Sequence, residues 1–95
     1  MLSILLPAKN EAKSLETLLP TLKALYPDAD IIVVNDGSND STSSLCESNN
    51  VKEIKHPYSK GNGASIKGGI RAAKGDVIVC MDADGKHRPQ DIQKL

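Results

Sequence analysis

The sequence predicts an α/β fold built on an open parallel sheet of order 3-2-1-4, and three observations predict it. Short apolar runs alternate with stretches of helical periodicity in the order strand, helix, strand, helix, strand, helix, strand. One run, Ile31-Ile32-Val33-Val34, is four consecutive β-branched residues, the mark of a strand buried on both faces. Polar clusters follow strands 1, 2 and 4, where right-handed crossovers and the common order of such sheets place a ligand crevice at the switch point.

Each element has a local reason. Leu2 to Leu6 is the first strand, ended by Pro7. From Glu11 to Leu25, leucines 15, 18, 19, 22 and 25 recur at three- and four-residue spacing, which is an amphipathic helix with a kink or break expected at Pro20. After the second strand, Asn35-Asp36-Gly37-Ser38 is turn chemistry, and Asp40 or Ser41 caps a short helix reaching about Ser48. Val51 to Lys55 is a third, more peripheral strand. The glycine-rich stretch Lys60 to Gly63 leads into a helix from Ala64 to Lys74, with Gly75 as its stop. Asp76 to Met81 is the fourth strand, and Pro89 suits the first turn of a last helix.

Composition narrows the function. Twelve basic residues cancel twelve acidic ones, which removes the electrostatic case for nucleic-acid binding. With 39% hydrophobic and 25% charged residues the chain is globular rather than disordered. Tyr26 and Tyr58 are its only aromatic residues, so the core is aliphatic. Cys46 and Cys80 are too few for a disulfide scaffold and read as packing thiols of a reduced, cytoplasmic protein. No apolar run approaches the roughly 18–20 residues of a membrane span. The apolar start has no basic leader and reads as a strand rather than a signal peptide.

Asp82-Ala83-Asp84 is the sharpest chemical signal. On extended backbone the two carboxylates share a side, roughly 5–7 Å apart. Their repulsion is on the order of 2–3 kcal/mol at an effective dielectric of about 20. A hard cation, Mg²⁺ or Mn²⁺, would offset it; the same spacing also suits a solvated strand exit. Asp36 can accept from a base or a ribose, or close an Asx-turn or helix cap. Glu11 can meet a ribose or simply favour a helix N-terminus. Lys60-Gly61-Asn62-Gly63 approaches a helix N-terminus as a phosphate site would, but matches neither a P-loop nor a dinucleotide fingerprint. Lys67 and Arg71 face either phosphates or solvent. His87 has no second close His or Cys to make a zinc site.

Taken together, Leu6 to Glu11, Val34 to Thr42, Lys60 to Ala64 with Ala73 to Asp76, and Met81 to His87 with Pro89 resemble the family 2 glycosyltransferases of the GT-A fold, in particular their dolichyl-phosphate mannose synthase-like branch. The resemblance implies a UDP- or GDP-linked sugar donor. It implies nucleoside contacts from Pro7, Ala8, Lys9, Asn10 and Glu11, a base contact from Asp36 beside Gly37, and donor contacts from Lys60 and Asp82. It also implies a metal–diphosphate site at Asp82 and Asp84, and an acceptor such as a polyprenyl phosphate, reached at the membrane surface. Lys86 departs from the pattern: the branch usually has a glutamine there that helps hold the metal, whereas a charged lysine pairs with phosphate. Residues 1–95 correspond to one donor-binding domain, without the acceptor-binding half. Two other readings stay open: a nucleotidyltransferase, disfavoured because Pro7 to Glu11 contains no glycine, and a non-catalytic nucleotide-binding module whose fourth-strand edge is covered in a homo-oligomer or by a missing half.

Overall fold

The computed structural model describes residues 1–81, apart from the side chain of Asn62. In chain order the elements are β1 (Leu2–Ala8), α1 (Ala12–Leu25), β2 (Asp30–Asp36), α2 (Thr42–Ser48), β3 (Lys52–His56), α3 (Asn62–Ala72) and β4 (Val77–Cys80). The four strands form one parallel sheet of order β3-β2-β1-β4, as the sequence predicts.

The alternation of side chains along β1 and β2 divides the core in two. Ile4, Leu6, Ala8, Ile31 and Val33 face α1 and α2, where Leu15, Leu18, Leu19, Leu22 and Cys46 close over them. Leu5, Ile32 and Val34 form the smaller layer on the other face, beneath α3, with Ile54, Ala72 and Ala73 at its margin. In-register pairs such as Ile4 with Ile31 and Leu6 with Val33 put like residues side by side.

Several boundaries differ from expectation for identifiable reasons. β1 does not stop at Pro7 but pairs with β2 through Ala8. The Leu5 carbonyl faces β4, accepting the Met81 N–H at 2.9 Å. Pro7, two residues on, faces the same edge, so its missing N–H removes nothing from the β1–β2 ladder. α1 is not broken at Pro20. Pro20 and Glu16, whose carbonyl loses its partner, both lie on the exposed side, and the buried leucines hold the helix together. β2 runs on through Asn35 and Asp36, which were expected in the turn.

α3 ends at Ala72, before Lys74, because side chains of the strands capture the next backbone donors. Asp30 accepts the Lys74 N–H at 2.9 Å and Ser3 Oγ accepts the Gly75 N–H at 2.7 Å. Gly75 is therefore not a left-handed helix stop. It is a close approach, since a Cβ there would lie 2.6 Å from the Met1 carbonyl oxygen and 2.7 Å from the Ser3 nitrogen. Cys80 is exposed rather than packed, and Val77 and Ile78 on the same edge strand are 60% and 40% exposed. Cys46 is buried as expected, and burial, with the Glu53 charge, pushes its thiol up to about 11. Among the described residues, no helix is long and apolar enough to cross a membrane.

Candidate functional site

The carboxyl ends of β1 and β2 and the first turn of α3 enclose a cavity of about 240 Å³. β1 contributes Pro7 and Ala8, with Lys9 just beyond; β2 contributes Asp36; the segment leading into α3 contributes Ser59 and Gly61, and α3 itself Ser65. This is the end of a parallel sheet at which ligands bind.

Asp36 is the best-connected side chain of the site. It is buried at the end of β2, in register with His56 of β3. His56 Nδ1 lies 2.8 Å from Oδ1, which also accepts the Lys60 N–H at 2.8 Å. Oδ2 accepts the Ser59 hydroxyl and the Gly61 N–H, both at 3.0 Å. Burial by itself would raise this carboxyl; the His56, Lys60, Gly61 and Ser59 bonds outweigh it and hold the group far below the usual carboxylate range.

The turn after β2 packs against the same segment. Gly37 has φ +75, and a Cβ there would stand 2.6 Å from the Ser59 nitrogen and 2.8 Å from the Tyr58 carbonyl carbon. Only glycine supplies both the left-handed backbone and the clearance. The side chain that closes this turn is Asn35 rather than Asp36: Asn35 Oδ1 accepts the Ser38 N–H, three residues on, at 3.0 Å, while its Nδ2 donates to Glu53 at 2.9 Å. Ser43 Oγ reaches the same Glu53 oxygen at 2.6 Å.

Asn10 ties the two walls together. It adopts φ +55, donates its N–H to Ser38 Oγ at 2.9 Å, and accepts the Asn39 N–H at 2.8 Å. Glu11 is the N-cap residue of α1, and its carbonyl accepts the Leu15 N–H. Its side chain makes no capping bond. Asp40 supplies the caps instead, with Oδ2 accepting the Ala12 N–H at 3.0 Å and Oδ1 the Thr42 N–H at 3.1 Å. One carboxylate thus closes the first turns of both α1 and α2.

Of the residues singled out from sequence, the cavity gathers Pro7, Ala8, Lys9 and Asp36. Asn10, Glu11 and Gly37 are not among its lining residues. Lys60 contributes its N–H to Asp36, while its ammonium lies 5.6 Å from the centre of the Tyr58 ring. Lys67 and Arg71 are on the exposed side of α3. Asp82, Asp84, Lys86, His87 and Pro89 lie outside the described residues. Among the described residues no three His, Cys, Asp or Glu side chains are grouped to hold a metal. Sequence reasoning missed His56, Ser59 and Ser65. Ser59 adjoins the glycine-rich stretch, which was a usable signal; His56 and the buried Ser65 carried none.

Comparison with known proteins finds a family for this sequence and the same fold in solved structures. The family described as "Glycosyl transferase family 2" matches residues 3–95. The chain is 37% identical over 99 residues to a dolichol-phosphate mannosyltransferase of Pyrococcus furiosus, covering 98% of this chain and 28% of that one. It is 34% identical over 103 residues to an undecaprenyl-phosphate 4-deoxy-4-formamido-L-arabinose transferase of Pseudomonas fluorescens, covering 98% and 30% respectively. The fold superposes with a TM-score of 0.83, at 25% identity, on glucosyl-3-phosphoglycerate synthase from Mycobacterium tuberculosis in complex with Mn²⁺, UDP-glucose and phosphoglyceric acid, covering 100% of this chain and 37% of that one. The chain spans about a third of the length of these proteins.

Proposed function

The chain belongs to glycosyl transferase family 2, and from that premise we propose that residues 1–95 are the nucleotide-sugar-binding domain of a glycosyltransferase. The donor is a UDP- or GDP-linked sugar seated in the cavity at the ends of β1 and β2. Pro7, Ala8 and Lys9 form one wall toward the nucleoside, with Asn10 and Glu11 following them; Asp36 next to Gly37 forms the floor, and Ser59 and Gly61, with Lys60 between them, the other wall. The observation that carries this reading is the convergence of Pro7, Ala8, Lys9, Asp36 and Gly61, from three separate stretches of sequence, on one cavity.

Asp82 and Asp84 are the residues that would hold Mg²⁺ or Mn²⁺. They follow directly on Met81, which still pairs with β1, and their oxygen-only chemistry suits a hard cation. When bound, that cation neutralises charge on the departing nucleoside diphosphate. The chain's own part is to orient the nucleotide between the β1 exit and the first turn of α3. Relatives named for dolichol- and undecaprenyl-phosphate support a polyprenyl phosphate as acceptor.

Calorimetric titration of the chain with UDP-sugars and GDP-sugars, with and without Mn²⁺, tests the reading. Binding of one class, strengthened by Mn²⁺ and stripped of that strengthening by Asp84→Ala, is expected. A folded chain that binds neither class at millimolar concentration refutes it.

A further inference from the structure

The donors that reach the Asp36 carboxylate come from two places. The Ser59 hydroxyl and the Lys60 and Gly61 N–H groups belong to the segment that walls the cavity. His56 Nδ1, 2.8 Å from Oδ1, belongs to the sheet: His56 is the last residue of β3, paired in register with Asp36. His56 is buried and is not among the residues lining the cavity, whereas Asp36 is. The cavity thus presents the carboxylate to a ligand and leaves the imidazole behind it.

The chemistry of the pair fixes which ring nitrogen carries a proton. An ionised carboxylate only accepts, so Nδ1 at 2.8 Å must donate. The two carboxylate oxygens are then unequal. Oδ1 is held by a strand residue. Oδ2 accepts from Ser59 and Gly61, and Ser59 is exposed, so its hydroxyl can turn to water when a ligand donor arrives. The bond from β3 keeps the carboxylate aimed during that exchange.

We propose that His56 is a positioning residue for nucleotide binding: its Nδ1–H fixes the rotation of the Asp36 carboxylate so that Oδ2 faces the ligand. The inference rests on the nucleotide-binding reading above and adds to it a residue that touches no ligand.

Nitrogen-15 spectra of the imidazole, with titration of the 95-residue chain by UDP and by GDP in the presence of Mn²⁺, test it. The His56 signals are identified by their loss in His56→Asn. In the free chain Nδ1 should carry a proton; a bare Nδ1 would overturn the proposal. The Nδ1 proton signal should move as nucleotide fills the site, because the carboxylate it bonds takes up a new donor; a signal unmoved at saturation would overturn it as well. His56→Asn places an amide donor close to the Nδ1 position, while His56→Leu fills the space without a donor. Affinity for the nucleotide that binds should fall roughly tenfold or more in His56→Leu and no more than about threefold in His56→Asn. Packing alone predicts the reverse order, since leucine keeps more apolar volume, so a His56→Leu chain that binds as tightly as His56→Asn sinks the proposal. Where His56→Leu does not fold, the two spectroscopic readouts decide. A wild-type chain that binds neither nucleotide refutes the functional reading, and the tautomer alone then decides whether His56 holds Asp36.

Discussion

Replacing Gly37 with alanine probes how closely the two walls of the cavity are packed, and its cost divides into two parts. Holding an L-residue at φ +75 costs roughly 1–2 kcal/mol. The added methyl would also meet the backbone of Ser59 at 2.6 Å and of Tyr58 at 2.8 Å, neither of which can rotate away as a side-chain tip could. Shifting a packed segment to relieve such an overlap costs about 1–3 kcal/mol more. Gly61 gives the contrast: a Cβ there meets nothing within 4 Å, so Gly61→Ala costs backbone strain alone, about 1–3 kcal/mol, because φ +95 with ψ 166 is a region that only glycine enters readily. Urea unfolding monitored by circular dichroism measures both. Gly37→Ala should lower the unfolding free energy by about 2–5 kcal/mol, backbone and overlap together, with m unchanged. If it loses no more than the backbone part, about 1–2 kcal/mol, the close approach of the β2 turn to residues 58–59 is not what shapes this wall.

Asp40→Ala should lower the unfolding free energy by about 1–3 kcal/mol, because one carboxylate caps two helices. Ser41→Ala should be nearly neutral, since the Ser41 side chain makes no cap bond; equal effects in urea unfolding would contradict the assignment of the cap. Asp36 should also make stability fall in acid. Its folded-state value lies below the ordinary 3.8, so the unfolded chain takes up the proton first; the contribution is complete above 3.8 and is lost as pH falls below it. Asp30 and Asp40 are lowered as well and act in the same direction. Urea midpoints between about pH 5 and pH 2 should drop for the wild type and drop less for Asp36→Asn; parallel profiles would show that Asp36 carries no such linkage.

The strand order was legible because four apolar runs are separated by segments long enough for crossovers, and Ile31 to Val34 could only be a central strand. The same topology brought Pro7, Ala8, Lys9 and Asp36 to one place, since all leave the carboxyl ends of neighbouring strands. Other features depend on partners far apart in sequence. The bonds to Asp36 come from residues 20 to 25 positions away, so nothing around Asn35-Asp36-Gly37 announces them. The end of α3 was misplaced because Ser3 and Asp30, from two different strands, take the donors that a longer helix would have used. Cys80 was expected to pack because its strand is apolar, but an apolar strand on a sheet edge need not be covered.

β2 carries an aspartate at each end, and the two act on α3 in the same way. Asp36 takes the N–H groups of Lys60 and Gly61 where the chain enters the helix, and Asp30 takes that of Lys74 where the chain leaves it. The entry suits a carboxylate, because a helix N-terminus is the positive end of its dipole. The exit does not, and there Lys52 compensates, pairing with Asp30 at 3.2 Å and donating to the Ala72 carbonyl at 3.4 Å. The apolar layer under α3 is thin, with Leu5, Ile32 and Val34 as its buried members, and Ile70 on the helix is 49% exposed. A helix so lightly anchored by packing takes its position from its two ends. Because the first turn of α3 is also a wall of the cavity, changes at either β2 aspartate should reach the ligand site through the seating of this helix, even at Asp30, at the opposite end of the strand from it.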